Sequence, residues 1–235
     1  MTANLSRLRE NMGERGVGAL LVSDLTNVQW LTGFTGSSGY ALLTPSASVF
    51  LTDSRYTIQA AEEVEDFEVV WYQRPKTFEE FLAEQCSRVG VASLAFETSV
   101  SYATWQSWTE KVGVQWTASP DVLRPLRMVK TADEVEKIKA ACAITDACLE
   151  HLVRMIQPGV TEYDIQLDLE FFQRRQGAEI AFDPIVVSGA NSARPHGSAT
   201  EKKLAVGDFV TLDLGAKKDG YCSDITRTFV IGDAS

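Results

Sequence analysis

The chain has 235 residues, 45% hydrophobic and 23% charged, which is typical of a globular protein with one large domain or two modest ones. Its formal net charge of -10 argues against a nucleic-acid partner. It has no run of about 18 apolar residues, and its charged N-terminus lacks a signal-peptide core, so we expect no membrane partner and a cytoplasmic location.

The first half of the chain alternates strand-like and helix-like patterns. The predicted strands cover residues 17–22, 40–43, 48–52, 67–72, 91–96 and 114–117. The predicted helices cover residues 55–64, 77–89 and 102–112, and residues 27–31 are a short helix or an extended piece. This order predicts an α/β domain, built on a mixed sheet with helices packed on it, over residues 1–124.

Several features of this half have ordinary structural interpretations. The glycine-rich segment 33–39 lacks the Gly-Lys-Ser/Thr ending of a phosphate-binding loop, so we interpret it as a turn between strands. Arg55 is expected to be solvated or structural. The four cysteines of the whole chain show no paired spacing, which favours reduced and mostly buried thiols.

The dipeptides Ser119-Pro120 and Arg124-Pro125 interrupt the pattern, and a second domain is predicted over residues 125–235. Thr131 and Glu134 form a capping box before one long helix, and Thr161 caps a second. Helical spacing predicts that the first helix buries Val135, Ile138, Cys142, Leu149, Leu152 and Ile156.

Near the end of the chain, two β-rich runs flank a Lys-Lys-Asp-Gly sequence, which is a strong hairpin signal. A turn centred on Lys218 and Asp219 would place Asp213 directly opposite Asp224. Like charges so placed repel, so a shared proton or a bound divalent cation would explain the pair. The alternative is that both carboxylates lie at solvated strand ends.

The chain has two histidines. His151 lies within the long helix among apolar residues and is interpreted as structural or surface. His196 lies in a loop of small residues, after Pro195 and before Gly197, where a ligand can approach the backbone closely. His196 is therefore a candidate functional residue.

Four segments of this half carry a family resemblance: 181–189 (AFDPIVVSG), 194–197 (RPHG), 212–216 (LDLGA) and 223–228 (SDITRT). In this order and spacing they resemble the first half of the catalytic domain of Xaa-Pro peptidases, the prolidases and aminopeptidases P of the pita-bread metallopeptidase family. Segments 30–37 (WLTGFTGS) and 51–56 (LTDSRY) are similar to the N-terminal domain of creatinase and prolidase.

The resemblance implies an α/β (α+β) fold, with a mixed-sheet accessory domain before the first half of a pita-bread domain. It also implies two divalent metal ions, with Mn²⁺ favoured and Co²⁺ or Zn²⁺ as alternatives. Asp213 would bind one ion, Asp224 would bridge both, and His196 would hold the substrate, stabilise developing charge or shuttle a proton. The substrate would be a proline-containing dipeptide or oligopeptide, with the dipeptidase slightly favoured, and the protein would be a homodimer.

The resemblance also implies three further ligands, one His and two Glu, after the second Asp. The sequence has neither residue type after Asp224. We therefore expect a fragment of a longer protein with an incomplete metal site and no activity alone. The alternative function is a non-catalytic pita-bread protein that binds peptides or proteins. Retention of Asp213 and Asp224 argues against that alternative and against a creatinase.

Overall fold

The structure, a computed structural model, describes residues 3–232 and divides into two compact units, one ending at Val129 and the other beginning at Lys130. The helices of the first unit are α1 (Ala3–Glu14), α2 (Leu25–Thr32), α3 (Thr57–Glu63), α4 (Phe78–Arg88), α5 (Tyr102–Lys111) and α6 (Arg124–Met128). Its strands are β1 (Leu20–Val22), β2 (Tyr40–Leu43), β3 (Ser48–Asp53), β4 (Glu68–Tyr72), β5 (Ser93–Phe96) and β6 (Gln115–Ala118).

These strands form one sheet in the order β4-β3-β2-β1-β5-β6. Strand β2 runs antiparallel to both β1 and β3, whereas the β1–β5, β3–β4 and β5–β6 pairs are parallel. The predicted mixed sheet is therefore confirmed, as is the predicted hairpin of β2 and β3.

Apolar clusters cover both faces of this sheet. Leu20 and Val22 of β1 lie in a cluster with residues of α1 and α2, while Leu21 lies in a second cluster with residues of α4 and α5. Successive side chains of a strand point to opposite faces, so a strand covered on both faces needs a continuous apolar run. This requirement explains why β1 could be predicted from its sequence.

Two helices of this unit were not predicted. Helix α1 buries Leu5, Leu8 and Met12, which are separated in the sequence by polar and charged residues. Helix α6 contains Pro125 in its first turn, where a missing N–H costs no helical hydrogen bond. The Arg-Pro pair therefore begins a helix instead of only interrupting the chain.

The second unit begins with two long helices, α7 (Ala132–Val153) and α8 (Glu162–Arg175). Its strands are β7 (Glu179–Ile180), β8 (Ile185–Ser188), β9 (Phe209–Leu214), β10 (Ala216–Lys218), β11 (Tyr221–Cys222) and β12 (Ile225–Val230), and residues Gly189–Ala193 form a 3₁₀ turn. The strands form two antiparallel sheets, in the orders β11-β10-β7 and β12-β9-β8.

Capping boxes are present at the start of both helices, the predicted one at α7 and a second at α8, where only the cap Thr161 was predicted. Thr131 accepts from the backbone N–H of Glu134, whose carboxylate accepts in return from the N–H of Thr131. Thr161 and Asp164 make the same reciprocal pair at α8. Both helices therefore begin where the sequence predicted.

The predicted buried face of α7 is partly wrong. The buried residues are Glu134, Ala141, Thr145, Cys148 and Leu152. Val135 and Cys142, which were predicted to be buried, are exposed. Cys222 is exposed as well, so only two of the four free cysteines, Cys86 and Cys148, are buried. Among the described residues, no helix is both long and apolar enough to cross a membrane.

Candidate metal centre and histidine loop

The register of the β9–β12 ladder differs from the predicted register. Asp213 pairs with Thr226, and not with Asp224. The Thr226 hydroxyl donates to Oδ1 of Asp213 over 3.0 Å, which fixes one side of that carboxylate. The prediction that two carboxylates oppose each other directly is therefore wrong.

The turn chemistry explains this shift. The last pair before the turn is Lys218 with Tyr221, so the two central residues are Asp219 and Gly220. Both have positive φ values, 51° and 82°, as the two-residue hairpin turn that matches strand twist requires. Lysine fits a positive φ poorly, whereas Asp and Gly tolerate it, so the turn lies one residue later than predicted.

Asp224 nevertheless points to the same side of the sheet as Asp213. Ser223 and Ile225 contact the helix side, since Ser223 bonds to Thr145 and Ile225 packs in the core cluster. Alternation along a strand then directs Asp224 and Thr226 to the opposite side. Asp213 faces Thr226, so the two carboxylates are diagonal neighbours on one face of the sheet.

This face lies away from the helices. Val210, Leu212 and Leu214 alternate with the polar residues of β9 and pack against Cys148 and Leu152 of α7 and other apolar residues. On the other face, the Thr211 and Thr228 hydroxyls bond to each other over 3.0 Å. Asp213 is half-buried and Asp224 is exposed, so both carboxylates are open to a ligand.

The loop that carries His196 covers part of the same face. A Cβ built on Gly197 would lie 2.9 Å from Cγ1 of Val187, so the loop backbone contacts this side chain directly. Val187 pairs with Thr211 across the β8–β9 ladder and therefore points to the face of Asp213. His196 itself is exposed. The structure thus brings the histidine loop and both predicted ligands to one side of the sheet.

The donor set fits a divalent cation in part. Two carboxylates supply the oxygen ligands that Mn²⁺ and similar ions accept. Within residues 3–232, no group of three or more His, Cys, Asp or Glu side chains is arranged to hold a metal ion. Asp213 and Asp224 are therefore suited to be two members of a ligand set.

The structure gives structural roles to the other residues considered from sequence. His151 contacts the Asp168 carboxylate and stacks on Phe172 with ring centroids 5.0 Å apart. Arg55 makes two 2.8 Å hydrogen bonds to Asp53. The sequence interpretations of His151 and Arg55 agree with these contacts.

The glycine-rich segment 33–39 packs closely against aromatic rings. A Cβ on Gly36 would lie 2.3 Å from Cζ of Phe34, and one on Gly39 would lie 2.7 Å from Cζ of Phe50. The prediction of a turn between strands is therefore right about the turn and wrong about what it joins, because the segment connects helix α2 to strand β2.

One buried group near the site has no sequence signal. Glu162 follows the predicted cap Thr161, a position where an exposed glutamate is ordinary, yet its side chain is fully buried. Its carboxylate accepts hydrogen bonds from Ser188 and Thr200, which flank the histidine loop. Only the tertiary structure shows this arrangement.

Comparison with known proteins agrees with this architecture. The model of metallopeptidase family M24 matches residues 136–235, and the model of the creatinase/prolidase N-terminal domain matches residues 4–129. An uncharacterized peptidase of Bacillus subtilis, YqhT, is 37% identical over 98% of this chain and 66% of its own length. An Xaa-Pro dipeptidase of Pyrococcus horikoshii is 31% identical over 99% of this chain and 65% of its own length.

Solved structures show the same similarity. A Xaa-Pro dipeptidase from Bacillus anthracis superimposes with a TM-score of 0.93 at 37% identity, over 99% of this chain and 65% of that one. A prolidase from Pyrococcus furiosus gives a TM-score of 0.85 at 31% identity, over 96% and 70% of the two chains. The chain spans about two thirds of the length of the relatives that it matches. The fold predicted from the resemblance is confirmed.

Proposed function

Because the chain belongs to metallopeptidase family M24 and carries a creatinase/prolidase N-terminal domain, we propose that the whole protein hydrolyses Xaa-Pro peptide bonds using bound divalent metal ions. The observation that carries this proposal is the common face of Asp213, Asp224 and the loop of His196. The relatives named Xaa-Pro dipeptidase support the choice of substrate class.

In this proposal, Asp213 and Asp224 hold the metal ions. When bound, such ions polarise a peptide carbonyl and supply a nucleophile at neutral pH. The Thr226 hydroxyl, which donates to Oδ1 of Asp213, orients that carboxylate toward its ligand. Oxygen ligation favours Mn²⁺ over softer ions, with Co²⁺ and Zn²⁺ as alternatives.

His196 acts on the substrate. An exposed imidazole beside the carboxylate face can donate a hydrogen bond to a carbonyl oxygen as charge develops there, or move a proton to the leaving nitrogen. The nitrogen of an Xaa-Pro bond, like any amide nitrogen, must gain one proton as the C–N bond breaks. A proline-containing dipeptide is the proposed substrate, and a cytoplasmic homodimer is the proposed form of the protein.

The test is an assay of the full-length protein on Xaa-Pro dipeptides and on longer Xaa-Pro peptides, with added Mn²⁺, Co²⁺ or Zn²⁺. Asp224→Asn should lower kcat/KM at least ~100-fold, because losing a metal ligand costs more than losing a residue that only orients one. Asp219→Asn is the matched control, since Asn tolerates the positive φ of that turn position. Full activity of Asp224→Asn would exclude its role as a ligand, and an inactive wild-type protein would exclude the peptidase.

A further inference from the structure

The carboxylate of Glu162 is buried at the first residue of α8, and it contacts both ends of the loop that carries His196. Its residue has no exposed surface, although glutamate is among the residues least often buried in proteins. A buried carboxylate is stable only when hydrogen bonds replace its lost hydration. The donors of these bonds define what the group does.

At the N-terminal end of the loop, Oε1 of Glu162 accepts from Ser188. The backbone N–H of Ser188 donates over 2.6 Å and its hydroxyl over 2.7 Å. Ser188 is the last residue of β8, directly before the 3₁₀ turn. Glu162 therefore fixes the point where the chain leaves the sheet.

At the C-terminal end of the loop, Oε2 of Glu162 accepts from Thr200. The backbone N–H of Thr200 donates over 3.0 Å and its hydroxyl over 2.6 Å. Backbone bonds run alongside, because the N–H groups of Glu162 and Tyr163 donate to the carbonyls of Lys202 and Thr200. One carboxylate thus joins the two ends of a loop that has His196 between them.

The electrostatics favour an ionised Glu162. Burial raises its pKa, but the hydrogen bonds from Thr200 and Ser188 outweigh burial and leave the pKa below its ordinary value. Lys202 donates to the Ser188 hydroxyl over 2.9 Å and to Asp208 over 2.5 Å, and so places a positive charge beside this network. The anionic carboxylate is therefore compatible with its burial.

We propose that Glu162 is a positioning residue, which holds both ends of the loop so that His196 stays over the face of Asp213 and Asp224. The inference rests on the proposed function, in which His196 contacts the substrate. The close contact of Gly197 with Val187 places the middle of the loop against the sheet, and nearer its start the Ser192 hydroxyl donates to the carbonyl of Phe209 over 3.0 Å. Glu162 supplies the hydrogen bonds at the two ends.

Glu162→Gln tests the proposal with almost no change in size. Both oxygens of Glu162 accept from a backbone N–H, whereas a glutamine amide has one accepting oxygen and one donating nitrogen. Whichever way the amide is oriented, its NH₂ group faces the backbone N–H of Ser188 or of Thr200, so two donors meet and one hydrogen bond is lost. Glu170→Gln is the matched control on the same helix, where the carboxylate accepts from Gln166 one turn earlier.

Two measurements on the chain itself report on the loop. In native-state hydrogen exchange, Glu162→Gln should accelerate exchange over residues 188–203 at least ten times more than in the β9–β12 ladder. In NMR spectra, the ring signals of His196 should shift or broaden while those of His151, which contacts Asp168 of α8, stay unchanged. Glu170→Gln should change neither. Equal acceleration in loop and ladder, or parallel changes at both histidines, would show a general loss of structure and overturn the proposal.

Activity gives a third readout in the full-length protein. Glu162→Gln should lower kcat/KM at least tenfold in the wild-type background and less than twofold when His196→Ala is already present. The second effect is smaller because both substitutions remove the same contribution, that of a correctly positioned His196. A residue that only stabilises the fold would lower both backgrounds equally, and that result would overturn the proposal. If the wild-type protein hydrolyses no Xaa-Pro bond, the proposed function fails, while exchange and NMR still decide the role of Glu162.

Thr200→Val serves if Glu162→Gln does not fold. Thr200 is exposed, and the change removes its hydroxyl bond to Glu162 while leaving its N–H in place. Exchange should then accelerate at the C-terminal end of the loop and less at Ser188. Unchanged exchange at Thr200 and its neighbours would contradict the proposal.

Discussion

Replacing Gly215 by alanine tests how the close approach of two backbone segments holds the hairpin that carries Asp213 and Asp224. Gly215 lies between β9 and β10. A Cβ at this position would lie 2.2 Å from the carbonyl oxygen of Ser223 and 2.7 Å from Cε1 of Phe182. Since Ser223 directly precedes Asp224, any displacement of Ser223 also moves this proposed ligand.

The magnitude follows from these distances. Real Cβ atoms essentially never lie within 3.0 Å of such a neighbour, so the two segments must separate by at least ~0.8 Å. One of the two contacts is with the backbone of Ser223, whose N–H donates to the carbonyl of Ala216. This backbone cannot rotate away as the end of a side chain could. Overpacking of this kind costs about 3 kcal/mol, the upper part of the usual range. Because every ~1.4 kcal/mol is a factor of ten, amide hydrogen exchange through opened states of the hairpin should accelerate about a hundredfold.

Native-state hydrogen exchange followed by mass spectrometry measures this effect. Peptides from residues 209–231 should lose protection in Gly215→Ala, whereas the β2–β3 hairpin of the first unit should keep its own. Gly18→Ala is the control, because a Cβ on Gly18 meets nothing within 4 Å. In the full-length protein, Gly215→Ala should also weaken Mn²⁺ binding, measured by calorimetry. Unchanged protection over residues 209–231 would refute the argument from close approach.

Two further predictions concern buried and paired polar groups. Gln173→Leu should raise the free energy of unfolding by about 1 kcal/mol in urea titrations, because the fully buried amide of Gln173 has no hydrogen-bond partner among the described residues other than the Cys148 thiol, which is a weak hydrogen-bonding group. Gln166→Leu, at a partly exposed position of the same helix, should change this free energy by less than ~0.5 kcal/mol. A loss of stability in Gln173→Leu would contradict the reasoning. Hydrogen bonds from Arg55 lower the pKa of Asp53 from 3.8 to about 2, so this pair should stabilise the fold above pH 4 and lose its contribution as the pH falls toward 2. The contribution is small because Arg55 is 67% exposed and solvent screens the pair. The difference in unfolding free energy between wild type and Asp53→Asn, followed by tryptophan fluorescence, should shrink over that range; a difference that stays constant would disprove the pairing.

Local rules were enough to predict most elements of the chain, although they missed α1 and α6. The caps at Thr131 and Thr161 depend on residues three positions apart and both are present as predicted, although the reciprocal role of Asp164 was not predicted. The central strands β1 and β2 were predicted because both faces of the sheet are covered there and these strands are continuously apolar. The hairpin was predicted correctly from Asp219 and Gly220, although its register needed the rule that both central residues take positive φ.

Partners distant in sequence decided what the local pattern could not. The buried face of α7 includes Glu134 and Thr145, which periodicity assigns to the surface. Glu134 accepts from the Tyr221 hydroxyl over 3.0 Å, and the Thr145 hydroxyl bonds to that of Ser223. A polar side chain can be buried only where a partner is supplied, and the helix sequence carries no information about that partner.

The sequence by itself determined the elements, the family resemblance and the identity of Asp213, Asp224 and His196 as candidates, because these depend on residue types and short spacings. The tertiary structure decided that the two carboxylates are diagonal neighbours and that the loop of His196 lies on their face. It also showed Glu162 as the group that joins the ends of that loop. The physical reason is that register and the burial of charge depend on contacts between segments far apart in the chain, whose energies no local pattern contains.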